Sequence, residues 1–175
     1  MTPPLFGVVG WKNSGKTTLI EKLIANFSTR GLNVAAAKHA HHAFDLNPNA
    51  EDAFQYCDAG AQTVVISSAK RFVVLTKVAG RPEPTLAELV RHLDGADIIL
   101  VEGFKDEPHP KLEVRRRGAS HKRPLAPEDP SILAIAADFE VEEAGVPVFP
   151  LEDIETIAEY ILARVNPPRR EDWLA

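Results

Sequence analysis

The chain has 175 residues, of which 45% are hydrophobic and 26% charged, and its net charge is −5. This length favours one domain with a substantial core, and the negative charge excludes a general attraction to nucleic acid or anionic membranes. Cys57 is the only cysteine, which excludes an internal disulfide or a cysteine-built zinc site and favours a reducing cytoplasm. The first residues lack a signal-peptide pattern, and no apolar run approaches the roughly 18 residues of a membrane span.

Apolar runs and amphipathic runs alternate along the chain. In chain order they predict a strand over 5–9, a helix over 18–29, a strand over 32–37, a helix over 51–59, an antiparallel strand pair over 63–66 and 72–75, a helix over 84–93, strands over 97–101, 111–115, 132–137 and 146–149, and a helix over 152–165. We expect one nucleotide-binding domain over residues 1–166. The remaining residues, 167–175, are expected to form a tail that contains Trp173.

Most of the predicted strands are apolar throughout, which is typical of strands that are covered on both faces. We therefore predict an α/β fold: a mostly parallel sheet with helices on both faces and a small antiparallel element. In such sheets ligands bind beyond the carboxyl ends of the strands. Those ends are predicted at Gly10, Lys38-His39, Glu102 and Asp138.

The first predicted strand leads directly into G-W-K-N-S-G-K-T, residues 10–17, which has the form G-x-x-x-x-G-K-[ST]. Consecutive amides of such a loop, together with the N-terminus of the helix that follows, bind phosphate. Lys16 is predicted to reach the β- and γ-phosphates of a nucleoside triphosphate, and the Thr17 hydroxyl to bind Mg²⁺. A simple glycine-rich turn does not account for the lysine and threonine after the second glycine.

Glu102 follows four apolar residues and precedes Gly103. A carboxylate at such a strand end can hold Mg²⁺, directly or through water, or orient an attacking water. We therefore predict Lys16 and Glu102 as catalytic residues, and Thr17 and Glu102 as metal ligands. The alternative is a glutamate that only ends a strand.

Three histidines and an aspartate follow the second predicted strand, in the segment K-H-A-H-H-A-F-D at residues 38–45. Metal binding by His41 and His42 is one interpretation, although adjacent side chains of an extended segment point to opposite faces. A second is an anion site formed by Lys38 and protonated histidine. A third is a loop that senses the γ-phosphate, with Asp45 as a metal ligand near Mg²⁺. A solvated polar loop is the remaining interpretation.

Basic residues cluster after the strand predicted over 111–115: Arg115, Arg116 and Arg117 are followed by His121, Lys122 and Arg123. They form either a solvated strand edge or an anion-binding surface for a substrate phosphate or an acidic partner. Asp138, at a late strand end, can accept hydrogen bonds from guanine N1 and N2 and is a candidate nucleotide contact. The chain has no N-K-x-D guanine motif, so the sequence specifies the base only weakly.

Four segments together resemble the MobB family of molybdopterin-guanine dinucleotide biosynthesis adapter proteins. They are G-W-K-N-S-G-K-T-T-L-I at 10–20, K-H-A-H-H-A-F-D at 38–45, A-G-A at 59–61 and V-E-G-F-K at 101–105. The resemblance extends to about residue 162 and implies a P-loop α/β fold, binding of GTP and Mg²⁺, at most slow hydrolysis, and a homodimer. The nucleotide-binding residues that it implies are Gly10, Lys12, Asn13, Ser14, Gly15, Lys16, Thr17, Thr18 and Glu102.

The resemblance also implies a partner, a guanylyltransferase that the protein assists in attaching GMP to molybdopterin, and leaves open whether molybdopterin itself binds. A GTP-binding adapter with weak GTPase activity is therefore the leading hypothesis. One alternative is a small-molecule kinase that uses the same loop, with Glu102 or Asp45 as base and residues 115–123 as a lid. The other is a GTP-dependent metallochaperone with His39, His41 and His42 as ligands.

Overall fold

The computed structural model describes residues 3–40, 51–78, 80–120, 123–142 and 145–167. The elements, in chain order, are β1 (Leu5–Val9), α1 (Lys16–Thr29), β2 (Val34–Lys38), α2 (Glu51–Asp58), β3 (Thr63–Ser67), β4 (Phe72–Thr76), α3 (Leu86–Val90), β5 (Ile98–Glu102), β6 (Lys111–Arg115), β7 (Ile132–Ala137), β8 (Val148–Pro150) and α4 (Ile154–Val165). None of the described helices is both long enough and apolar enough to cross a membrane. The chain divides into two compact units, Met1–His39 with Leu86–Ala175, and Ala40–Thr85.

The first unit is built on a six-stranded sheet with the order β2-β5-β1-β6-β7-β8. Each neighbouring pair in this sheet is parallel. Buried side chains of α1 and α4, among them Leu23 and Ile161, pack with Leu100 on one face. On the other face Leu86 of α3 packs with Ile99. This arrangement confirms the predicted α/β fold with helices on both faces, and it brings all six carboxyl strand ends to one edge.

The second unit consists of α2 and a two-stranded antiparallel sheet, β3–β4. Its buried cluster is formed by Ala53, Cys57 and Val64, with contributions from partly buried neighbours. The predicted strand pair and the predicted helix before it are both confirmed. The single cysteine is therefore a core residue of this unit and not an exposed thiol.

The helix predicted over 84–93 is shorter than expected, because α3 has only five residues. After Val90 the chain continues in tighter turns: the amide of His92 donates to the Leu89 carbonyl and that of Leu93 to the Val90 carbonyl, both at 3.0 Å. These i→i+3 bonds replace the α-helical pattern, although the apolar spacing itself continues.

β6 is an interior strand, since it pairs with β1 on one side and β7 on the other. Its charged residues Lys111 and Glu113 are each only 1% exposed. Lys111 Nζ lies 2.6 Å from the carboxylate of Asp129, and Glu113 accepts a hydrogen bond of 2.7 Å from Arg115. The interpretation of the basic run as a solvated strand edge is therefore wrong for Arg115, because its charge is paired inside the sheet.

His109 is buried beside β1 without a hydrogen-bond partner among the described residues. The residue is 8% exposed, and neither ring nitrogen has a partner. The ring lies against Gly7, where an added Cβ would be 2.3 Å from His109 Nε2. Burial, together with the charge of Lys111, lowers the pKa of His109 to about 4. The folded protein therefore keeps this imidazole neutral at pH values where an unfolded chain protonates it.

We expect acid to destabilise the protein through His109. The folded pKa lies below the unfolded value of about 6.5, so the neutral ring is fully compatible with folding above that pH and costs stability below it. For this group alone, the free energy of unfolding should fall by about 2 kcal/mol between pH 7.5 and pH 5. Urea unfolding of His109→Gln at both pH values should show a correspondingly smaller fall. His92→Gln, at an exposed histidine, is the control, and equal pH dependence in all three proteins would contradict this assignment.

Candidate nucleotide site

The loop between β1 and α1 turns through backbone conformations that favour glycine. Asn13 and Gly15 have φ values of 64° and 94°, both in the left-handed region. At Gly10, with φ of 149°, an added Cβ would lie 2.6 Å from the Val114 carbonyl oxygen and 2.7 Å from Ser14 Oγ. Glycine is therefore required where the loop passes β6. The first amides of α1 follow directly and have no acceptors within the helix, which makes them available to an anion.

The other loop residues implied to contact nucleotide fall into two groups. Lys12, Asn13, Thr17 and Thr18 are exposed. Ser14 is 1% exposed, and its hydroxyl oxygen has no hydrogen-bond partner among the described residues. A buried hydroxyl without a partner is unusual in a folded protein, and here it lies within the loop whose amides are available to an anion.

Lys16 extends back across the loop, where its Nζ donates a 2.8 Å hydrogen bond to the Trp11 carbonyl. Its pKa is lowered, chiefly by burial; Glu102 opposes this effect, while Lys105 and Lys38 add to it. The loop is thus surrounded by ammonium groups that repel one another. A bound polyphosphate would relieve this repulsion and raise the pKa of Lys16 again.

Thr17 and Glu102 meet although 85 residues separate them. The Thr17 hydroxyl lies 3.0 Å from each carboxylate oxygen of Glu102 and donates to them. The sheet register explains the contact, because Val8 of β1 pairs with Glu102 of β5 just before the loop begins. A hydroxyl and a carboxylate at one point are the hard oxygen donors that Mg²⁺ prefers, so these two residues fit the predicted metal site.

Lys38 is the third member of this group. Its Nζ lies 3.2 Å from Glu102 Oε2 and donates to Thr17 Oγ1 at the same distance of 3.2 Å. Parallel pairing of β2 with β5 places Lys38 directly beside Glu102. The lysine that was considered for an anion site is therefore bound to both predicted metal ligands. Since it carries a positive charge, it competes with any divalent cation for the same oxygens.

His39 is held next to the end of β5. Its amide donates to the Glu102 carbonyl at 2.9 Å. Its ring packs on Phe104 with centroids 4.9 Å apart. Gly103 has a φ of 85°, which favours glycine, and an added Cβ would make a tight contact 3.2 Å from His39 Cβ. These contacts fix the backbone that carries the Glu102 side chain.

Several residues that the sequence singles out lie outside the described part of the chain. They are His41, His42, Asp45, His121, Lys122 and Trp173. Among the residues that the structure does describe, no three histidine, cysteine, aspartate or glutamate side chains come together in a metal-binding group. The metal-ligand roles of His41, His42 and Asp45 stay predictions.

Sequence reasoning missed the role of Trp11 and of the loop after β6. The Trp11 indole donates a 2.7 Å hydrogen bond to the Arg123 carbonyl, and the Ser120 amide donates to the Lys12 carbonyl at 3.1 Å. The ammonium of Lys105 lies 4.0 Å from the centroid of the Trp11 ring. This loop is therefore attached to the glycine-rich loop at two points. The tryptophan inside the phosphate-binding sequence could have indicated this contact, because a large aromatic side chain in a loop usually packs against another segment.

Asp138 follows β7 at the same edge of the sheet, as predicted, but its carboxylate already has partners. It accepts a 2.9 Å hydrogen bond from the Arg117 amide, and its other oxygen lies 3.6 Å from Arg116 Nε. In this state Asp138 anchors the basic loop after β6. A contact with guanine stays a prediction and requires the carboxylate to exchange these partners or to accept further bonds.

Comparison with known proteins gives a consistent result. A family model described as "Molybdopterin guanine dinucleotide synthesis protein B" matches residues 5–138. The molybdopterin-guanine dinucleotide biosynthesis adapter protein of Escherichia coli K12 is 32% identical over 161 residues, covering 91% of each chain. The protein of the same description from Haemophilus influenzae is 33% identical over 174 residues, covering 98% of this chain and 89% of the relative.

Solved structures agree with the sequence comparison. The crystal structure of Bacillus subtilis MobB superposes with a TM-score of 0.73 at 30% identity, covering 93% of this chain and 98% of that one. A MobB homologue from Bacillus stearothermophilus gives a TM-score of 0.68 at 26% identity, with 93% and 97% covered. The similarity therefore covers the fold and nearly the whole length of both neighbours.

Proposed function

The chain belongs to the family of molybdopterin-guanine dinucleotide synthesis protein B, and from that premise we propose that it is an adapter of this biosynthesis that works by binding GTP. Mg²⁺ accompanies the nucleotide in this proposal. The phosphates lie on the loop between β1 and α1, and the base lies toward the end of β7. The fold and the family support the proposal, and the geometry of the site indicates which residues would contact the nucleotide.

The observation that carries the proposal is the contact between Thr17 and Glu102. The glycine-rich loop alone would support phosphate binding of any kind. A hydroxyl at the start of α1 that meets a carboxylate at the end of β5, 3.0 Å away, adds the oxygen donors that a nucleotide-bound Mg²⁺ needs. These two side chains come from elements that pack together only in the folded sheet.

Each residue of the site has a distinct role in this proposal. Loop amides from residue 12 onward and the helix N-terminus bind the β-phosphate, and Lys16 leaves the Trp11 carbonyl to contact the β- and γ-phosphates. Thr17 and Glu102 hold Mg²⁺, which neutralises phosphate charge when it is bound. Lys38 gives up its contacts with these two residues and remains near the terminal phosphate as a second cation.

We propose that hydrolysis is slow. Glu102 is bonded to Thr17 and paired with Lys38, which suits a metal-holding carboxylate and not a free general base. Apart from Glu102, the charged side chains that act on Lys16 are Lys38 and Lys105, which stabilise charge but do not activate water. Faster turnover would need a group from a partner or from a second copy of the chain.

The biological role proposed here is to present GTP to a guanylyltransferase that joins GMP to molybdopterin. We also propose that the protein acts as a homodimer in the cytoplasm. The names of the relatives support an adapter role in this biosynthesis. An adapter needs tight and selective binding more than rapid chemistry, which agrees with the composition of the site.

Isothermal titration calorimetry of the full chain with GTP, GDP and ATP, each with and without Mg²⁺, tests this function. We expect GTP with Mg²⁺ to bind with a Kd at least about tenfold lower than ATP, because guanine N1 and N2 donate hydrogen bonds that adenine does not. Removal of Mg²⁺ should weaken the binding of GTP more than that of GDP, since the γ-phosphate gives GTP the larger negative charge. Absence of binding by every nucleotide would overturn the proposal.

A small-molecule kinase would give the same calorimetric result, so products are analysed as well. The basic loop next to Trp11 is the observation that keeps this second function under test. Incubation with GTP and a panel of hydroxylated acceptors should yield free phosphate slowly and no phosphorylated acceptor. A phosphorylated product formed at the rate of GTP loss would favour the kinase over the adapter.

A further inference from the structure

A cavity of about 280 Å³ opens beside the glycine-rich loop, on the side of β6. It is formed by the end of β6, the loop that follows it, and one aromatic side chain from each neighbouring strand end. Its lining includes Trp11, Arg115, Arg116, Arg117, Arg123 and Phe139. Neither Thr17 nor Glu102 lines the cavity, and the function proposed above assigns no ligand to it.

The cavity is strongly basic in a protein whose net charge is −5. Four arginines line it: Arg116 and Arg123 are paired with Asp138 and Glu128, and Arg115 with the one carboxylate in the lining, that of Glu113. That carboxylate is already shared, because it accepts hydrogen bonds from the amides of Leu125 and Ala126 at 3.0 and 2.9 Å as well as from Arg115. The positive charge of the cavity is therefore only partly neutralised by the protein itself.

Two of the arginines have unused binding capacity. Arg115 Nε is buried and has no hydrogen-bond partner among the described residues, an expensive state for a charged donor. Arg117 is exposed, and its guanidinium lies 5.7 Å from the Phe139 ring centroid. Within the described residues no carboxylate comes within ion-pair distance of this guanidinium. Arg117 is available to an anion that enters the cavity, and Arg115 lines the same cavity.

We propose that this cavity binds a phosphate-bearing small molecule other than the nucleotide. Guanidinium groups bind phosphate oxygens through paired hydrogen bonds, and several of them around one small cavity match a phosphate group better than a carboxylate peptide side chain. The volume is at the small end of ligand cavities, which favours a compact organic phosphate over a macromolecule. The Trp11 and Phe139 side chains supply apolar surface for the rest of that molecule.

The position of the cavity indicates what the second ligand does. Trp11 belongs to the glycine-rich loop, and an added Cβ on Gly15 would lie 4.0 Å from Arg116 Cδ. A ligand in the cavity is therefore next to the loop that holds the phosphates. That it is the phosphorylated molecule to which the nucleotide becomes attached rests on the proposed function. Its binding to the cavity does not, and can be measured without any nucleotide.

The test uses inorganic pyrophosphate as the probe and Trp11 fluorescence as the signal. The chain has two tryptophans, so Trp173→Phe leaves Trp11 as the only reporter. Lys16→Ala is added to disable the glycine-rich loop. In this double variant pyrophosphate should still produce a saturable change in Trp11 emission. Adding Arg117→Gln should raise the Kd at least about tenfold. Arg91→Gln, at an exposed arginine outside the cavity, should change it less than about twofold.

Arg115→Lys provides a second variant that keeps the charge but removes the unpartnered Nε donor, and it should also weaken pyrophosphate binding. If this buried substitution unfolds the chain, the exposed Arg117 still decides the result. Loss of saturable binding in the Lys16→Ala background would overturn the proposal. So would equal effects of Arg117→Gln and Arg91→Gln in that background. Because the decisive titration contains no nucleotide, a failure of GTP binding leaves it interpretable.

Discussion

Lys16→Ala should weaken GTP binding by about 100-fold or more, measured by calorimetry with Mg²⁺ present. Lys16 is the first residue of α1. Its ammonium extends back over the glycine-rich loop, as its hydrogen bond to the Trp11 carbonyl shows. Its positive charge faces phosphates that carry most of the charge of the ligand. The pKa of Lys16 is lowered chiefly by burial, and a bound triphosphate would oppose this shift because it stabilises the ammonium.

Lys22→Ala is the matched control, since it removes the same charge from the same helix. Lys22 Nζ pairs with Glu152 at 2.5 Å on the outer surface of α1, and an exposed pair of this kind contributes little. We expect near-normal GTP affinity for Lys22→Ala and an unchanged circular dichroism spectrum for both variants. If Lys16→Ala retained near-normal affinity, the nucleotide site would have to lie elsewhere in the molecule.

The elements that the sequence predicted best are those specified by neighbouring residues. β1, β5 and β7 are apolar runs that end in glycine or a carboxylate, and their limits agree with the prediction within one residue. The meeting of Thr17 with Glu102 could also be anticipated, because parallel strands place all carboxyl ends at one edge. This inference needs only the positions of the two residues at strand ends, and no information about a contact between them.

The prediction was weakest where a residue's environment depends on distant partners. The alternation K-L-E-V-R over residues 111–115 is typical of a half-exposed strand, yet β6 lies between β1 and β7, and its buried Lys111 pairs with the distant Asp129. The environment of Trp11 depends in the same way on Lys105 and Arg123, which are far away in the sequence. Contacts of this kind depend on the order of the strands in the sheet. The local pattern of apolar and polar residues does not predict that order.

Lys38 shows the same limit at the site itself. The sequence placed it beside a strand end and suggested contact with an anion. The structure shows it bonded to Thr17 and Glu102, because β2 lies next to β5. Lys38 therefore links the two predicted metal ligands. Substitution of Lys38 and substitution of a ligand should have opposite effects on the affinity for Mg²⁺.

Glu102→Gln should remove most of the Mg²⁺ dependence of GTP binding. The amide keeps the size of the side chain and a hydrogen bond to Thr17, but it loses the negative charge that attracts both Mg²⁺ and Lys38. We expect the ratio of Kd values without and with Mg²⁺ to fall to within about twofold of unity, while affinity without Mg²⁺ changes little. Glu21→Gln, at an exposed carboxylate of α1, should leave the ratio unchanged.

Lys38→Gln should have the opposite effect on Mg²⁺ binding. Without the ammonium that occupies Thr17 Oγ1 and Glu102 Oε2, the same oxygens should bind Mg²⁺ more tightly, so that less Mg²⁺ is needed to reach full GTP affinity. Because one substitution removes the attracting charge and the other removes the competing one, a general loss of structure cannot produce both results. If Glu102→Gln weakened binding equally with and without Mg²⁺, the carboxylate would be a structural partner of Thr17 and Lys38 and not a metal ligand.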